Sequence, residues 1–217
     1  MPRPINLRQS AFCLATFVIF AAISATSAFA DGVTFDSSPG NFPDDENVLL
    51  ATGATGNPIF GQTNQSLLSV RFTGDETLTA PANGQARIEA LDGAFAYLKI
   101  DIPGGSFTSL VLNINATDDG NVHFVVTTTT GTLTFDSTLA DGGENFNRFL
   151  ADGATRILSV EFYTSTGVSL TIEDAEDVRQ IRIGGAQVAP EPASMLLLGT
   201  GLAGLAAGVR RRRNKKN

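Results

Sequence analysis

Apolar and polar residues alternate with period two along most of the segment between Asp31 and Gln187. In SLVLNIN (109–115), Leu110, Leu112 and Ile114 fall on one face. In NVHFVVTTTT (121–130), Val122, Phe124 and Val126 do the same, which puts His123 on the opposite face. In RILSVEFYTST (156–166), Leu158, Val160 and Phe162 alternate with Ser159, Glu161 and Tyr163. Successive side chains of an extended chain point to opposite sides, so this pattern predicts strands with one buried face. Shorter stretches of the same kind are SLLSVRF (66–72), AFAYLKIDI (94–102), GTLTFDS (131–137), VSLTIE (168–173) and VRQIRIG (178–184). Turn formers separate them: PGG at 103–105, DDGN at 118–121 and DGGEN at 141–145.

No helical pattern of ten residues interrupts these strands, and no repeat of fixed period appears. The expected fold is all-β, an antiparallel β-sandwich or jelly roll spanning 31–187, with phenylalanines filling the space between sheets. The segment from Pro39 to Gly61, rich in Gly, Asn, Asp and Pro, reads as a long irregular loop. Residues 186–192 read as a short linker.

The two ends follow different rules. Arg3 and Arg8 precede the apolar run Ala11–Ile23, which is short for a membrane span. Small residues follow, with Ala28 and Ala30 in the A-x-A arrangement that signal peptidase accepts. Residues 1–30 therefore read as a signal peptide, cleaved between Ala30 and Asp31, with the Sec machinery and signal peptidase as partners. Cys13, the sole cysteine, lies within that peptide, so the exported domain has neither a disulfide nor thiol chemistry.

At the other end, Ala193 to Val209 carries no charge. As a helix it would span about 25 Å, at the lower limit for a transmembrane helix. Arg210, Arg211, Arg212 and Arg213 open a basic tail that runs to 217 and, under the positive-inside rule, stays cytoplasmic. The domain before the helix then lies on the far side, as the signal peptide also requires. Pro190 and Pro192 hold the intervening stretch extended.

Pro190-Glu191-Pro192, a short apolar helix and a terminal arginine block together resemble the PEP-CTERM protein-sorting signal, here covering 188–217. The resemblance implies an exported protein of a Gram-negative bacterium that makes extracellular polysaccharide. It also implies transient anchoring in the inner membrane and processing near Pro190–Pro192 by a membrane-embedded exosortase. The domain would then reside at the cell surface or in the extracellular matrix. The strand DVRQIRIGG is similar to the last strand of β-sandwich ectodomains on such proteins.

Charge narrows the ligands. Between Asp31 and Gln187 stand seven basic and 21 acidic residues, a net charge of −14. Such a domain does not bind nucleic acid, because the phosphate backbone requires the opposite sign. It attracts divalent cations, and two acidic clusters are candidate Ca²⁺ loops: Asp44, Asp45 and Glu46, or Asp118 and Asp119. One histidine and no cysteine leave no transition-metal set and no serine or cysteine triad beyond His123, so no catalytic residue is assigned. The expected protein is thus a non-enzymatic surface or matrix component associated with exopolysaccharide or biofilm. A second class shares the same address: a carbohydrate-binding, or glycan-cleaving, module. Against it, the chain has no tryptophan and only Tyr97 and Tyr163 to stack on sugars.

Overall fold

A computed structural model describes residues 32–37, 45–81, 84–142, 144–165 and 175–188, together with Thr200. Residues 1–30, read above as a signal peptide, together with VSLTIE, Pro190–Pro192, the apolar run apart from Thr200 and the arginine tail, lie outside the described residues. Among the described residues no helix is long and apolar enough to cross a membrane.

The described chain is built of strands. In order they are β1 (Val33–Asp36), β2 (Glu46–Leu50), β3 (Thr55–Gly56), β4 (Ile59–Thr63), β5 (Ser69–Gly74), β6 (Leu78–Thr79), β7 (Gly84–Gln85), β8 (Arg87–Ala90) and β9 (Tyr97–Asp101). There follow β10 (Gly105–Ser106), β11 (Ser109–Ala116), β12 (Gly120–Thr128), β13 (Thr132–Leu139), β14 (Asn145–Ala151), β15 (Ile157–Ser165), β16 (Ala175–Gly184) and β17 (Gln187–Val188).

All ladders between these strands are antiparallel. One hydrogen-bonded path runs β1-β14-β11-β16-β2-β4-β5-β9-β15-β12-β13. The path makes two layers because β2 changes partner along its length: Glu46 and Asn47 pair with β16, whereas Val48 and Leu49 pair with β4. The two ends of the path meet. Phe35 of β1 stacks on Phe135 of β13 at 5.3 Å between ring centroids, so the layers close like a flattened barrel. The all-β antiparallel expectation holds.

The core lies between the layers. Phe35 and Phe149 from one layer meet Phe124 of the other at 5.7 and 5.0 Å, and Phe124 continues to Phe162 and Phe162 to Phe95, each at 6.1 Å. Tilted and edge-on rings of this kind fill volume without the repulsion of a face-to-face sandwich. Leu110, Leu112, Ile114, Val122, Val126, Val160 and Ile183 surround them, all buried.

Three expectations are corrected. Pro39–Gly61 is not a continuous loop, since β2, β3 and the start of β4 lie within it. The inward face of β4 is Ile59, Gly61 and Thr63, with Phe60 turned out at 53% exposure beside an inward glycine. Gly61 faces inward because a Cβ at that position would lie 2.8 Å from Val48 Cγ1 and 2.9 Å from Leu49 O. Leu158 does not share the face of Val160 and Phe162. A register shift against β12 between Thr127 and Thr128 buries Ile157 instead and leaves Leu158 exposed. Finally, 186–192 is not wholly a linker, because Gln187 and Val188 pair with Ser106 and Gly105.

Candidate functional site on the outer face of β9 and β15

Inward apolar residues on β12, β15, β9 and β5 require the intervening residues to point outward, and antiparallel register sets these into rows. One row reads His123, Tyr163 and Tyr97. The next reads Val125, Glu161, Lys99 and Thr73, and a third reads Thr127, Ser159, Asp101, Arg71 and Phe60.

Tyr97 and Tyr163 face each other across β9 and β15, their rings 5.0 Å apart and tilted by 42°. The Tyr97 hydroxyl donates to Glu161 Oε2 at 3.2 Å, and Lys99 Nζ donates to Glu161 Oε1 at 2.8 Å. Burial first, then the neighbouring Glu161 charge, hold both phenols above their usual range, Tyr97 far above it. Both are therefore neutral hydroxyls at physiological pH, able to donate as well as accept. Beside the pair, His123 Nδ1 and Asp136 Oδ1 lie 2.7 Å apart. Arg71 grips Asp101 with two parallel bonds, Nε to Oδ1 at 3.0 Å and Nη2 to Oδ2 at 2.8 Å. The face thus combines two amphipathic rings with fixed donors and acceptors.

Strand alternation in the sequence places Tyr163 outward, and it is only half-buried. Its meeting with Tyr97 was not legible, because the two strands are far apart in the chain and only their register brings the rings together. His123 stands on the outer face, opposite Val122 and Phe124, as expected.

The acidic clusters do not converge. Both Asp45 carboxylate oxygens accept from Ser109 Oγ at 2.7 Å, whereas Glu46 Oε2 accepts from the amides of Gln65 and Ser66 at 2.8 and 2.6 Å. Asp45 precedes β2 and Glu46 opens it, and their carboxylates take partners on different parts of the chain. Burial alone would raise the Glu46 carboxyl, but the two amides and the hydroxyls of Ser66 and Thr63 bring it below its usual range. Asp118 is exposed, and Asp119 Oδ1 accepts from the Asp141 amide at 2.8 Å. Among the described residues no group of three or more His, Cys, Asp or Glu is placed to hold a metal. Asp44, Ala28, Ala30, Pro190, Glu191, Pro192 and Arg210–Arg213 lie outside the described residues.

At the pole where the chain leaves the domain, β17 lies against β10 and ends at Val188. The family model of the PEP-CTERM protein-sorting motif matches residues 188–213, starting on that same residue. The chain carries a PEP-CTERM sorting signal. The motif implies a protein exported through the membrane to the cell surface, with an exosortase as its processing partner. Among solved structures, the chain is similar to two mutants of CBM29-2, a family 29 carbohydrate-binding module, from work on its ligand recognition. One is 14% identical, covering 75% of this chain and 98% of the other at a TM-score of 0.32. The second is 13% identical over 74% and 99%, with the same TM-score. Likeness at this level assigns neither fold nor ligand to the PEP-CTERM protein. No curated protein matches the chain.

Proposed function

We propose that this PEP-CTERM protein is a non-enzymatic matrix component that holds extracellular polysaccharide on the outer face of β9 and β15. The observation that carries the reading is the Tyr97–Tyr163 pair, 5.0 Å apart, with Glu161 and Lys99 bonded beneath it. Sugar rings present C–H faces and hydroxyl edges together. Tyrosine offers an apolar ring and a hydroxyl in one side chain, with few rotamers to freeze. The carboxylates beside it are occupied: Glu161 by Lys99 and Tyr97, Asp101 by Arg71. That arrangement favours binding over acid–base cleavage, which needs a carboxyl free to exchange a proton.

The rest of the route belongs to the same proposal. Signal peptidase removes residues 1–30 after Sec export, the 193–209 helix anchors the intermediate in the inner membrane of a Gram-negative bacterium, and an exosortase acts near Pro190–Pro192. The domain then joins the exopolysaccharide of a biofilm.

Affinity electrophoresis through gels containing the producing strain's exopolysaccharide tests the binding. Retardation of the wild-type protein, reduced roughly tenfold in affinity by Tyr97→Ala or Tyr163→Ala, is expected, since each ring contributes about 1.4 kcal/mol. Equal migration with and without polysaccharide would refute the reading.

A further inference from the structure

The folded domain and the sorting motif share a residue. Val188 pairs with Gly105 as the last residue of β17, and the motif begins at 188. Only Ala189 separates this pair from Pro190. The end of the domain is also built to be held. Gly105 sits close under β17, where a Cβ would come within 2.6 Å of Gln187 O. The Arg156 guanidinium spans the junction, with Nη2 donating to Gly185 O and to Ser106 O at 3.3 Å, and Nε donating to Ser106 Oγ at 3.2 Å. Gly185 turns the chain toward β17 at φ +56°.

An enzyme that processes an extended segment surrounds its backbone on both sides of the reacting bond. Here one side of Gln187 and Val188 is occupied by β10. Apart from the Arg156 tether, the β10–β17 pairing is weak. Both residues are exposed, and β17 is two residues long, so peeling it uncovers little apolar surface.

We propose that Gln187 and Val188 are the first part of the segment the exosortase reads, and that they reach it by leaving Ser106 and Gly105. Arg156 is then a positioning residue that sets how readily they leave. The partner's groove takes an extended strand by backbone pairing, in place of β10. This rests on the exosortase reading of the motif, and the test separates the two.

The test uses the full chain in membranes that contain an exosortase, with the new C-terminus read by mass spectrometry. Ser106→Cys with Gln187→Cys places a disulfide across directly opposed residues, where antiparallel Cα atoms stand close enough to bridge. Cys13, in the signal peptide, is the only other cysteine. Processing of the wild type and of the reduced double variant, with the oxidised form resistant, is the expected result. Restoration on reduction shows that the variant folds. Arg156→Ala should be processed faster, by roughly tenfold, the change a charged hydrogen bond makes in an equilibrium. Arg156→Lys should fall between them. An oxidised double variant processed at the wild-type rate overturns the inference while the motif reading stands. A wild type left intact overturns both.

Discussion

Arg87 and Asp177 join two strands ninety residues apart in the chain through a guanidinium that reaches a fully buried carboxylate. Arg87 Nη2 lies 2.9 Å from Asp177 Oδ2 and bridges on to Glu89 Oε1 at 2.8 Å. The other carboxylate oxygen, Oδ1, accepts no hydrogen bond among the described residues and lies 3.7 Å from Arg179 Nε. Asp177 is a charge buried on β16 and compensated chiefly by one partner on β8. Removing that partner strands the charge, whereas removing both groups does not. Arg87→Ala should lower stability by about 3–5 kcal/mol, and Arg87→Met with Asp177→Leu should recover most of it. Urea denaturation of the three proteins decides this; a single variant as stable as the pair would contradict it.

The tyrosine pair predicts an unusual titration. The chain has two tyrosines and no tryptophan, so absorbance near 295 nm reads these rings alone. Both phenols are held above their ordinary value of 10.0. A group whose pKa is raised on folding contributes stability that is complete below its unfolded pKa and is lost as pH rises through the folded one. The folded protein should therefore show less phenolate than the unfolded chain at about pH 10.5, and should lose stability as pH rises above the unfolded value. Glu161→Gln should shift both transitions down. Half-ionisation of the folded protein near pH 10 would count against the geometry.

Glu46 behaves in the opposite sense. Its carboxyl is depressed on folding below the model-peptide value of 4.5. Its contribution is present above that unfolded value and is lost as pH falls through the folded one. Glu46→Gln should reduce the melting temperature at neutral pH, and the gap to wild type should narrow as pH falls below 4.5. A gap that stays constant with pH would show that the Gln65 and Ser66 amides do not depend on the charge.

Phe149 connects the layers, touching Phe35, Phe124 and Phe135 at 5.2, 5.0 and 5.9 Å. It is fully buried. Phe149→Ala should cost about 3–5 kcal/mol, through lost burial and the cavity left among rings that cannot collapse inward. Phe60→Ala, on an exposed side chain, should change stability by less than about 0.5 kcal/mol. Thermal melts of the two variants, compared with wild type, check the contrast.

Much of the architecture is readable along the chain. β12 lies where the alternation puts it, because one buried face imposes period two on a strand; β11 and β16 form where strands were expected, although β11 is buried on both faces and β16 shifts register against it. The reading fails where that relation breaks. β4 turns Phe60 out and Gly61 in, since close approach of β2 leaves no room for a side chain. β15 exposes Leu158, since a bulge resets the alternation at the start of the strand. The candidate site was half-legible: alternation put Tyr163 outward, while Tyr97 became its neighbour only through pairing.

By itself, the sequence determined the strand-rich fold class, the acidic character of the exported domain and the sorting motif. Each of these is a local property of consecutive residues, and the motif is recognised as a linear segment. The tertiary structure alone decided that Tyr97 meets Tyr163, that Arg87 compensates Asp177 and that Val188 belongs to both a strand and the motif. Those pairings depend on the register between distant strands, which is set when many side chains pack at once.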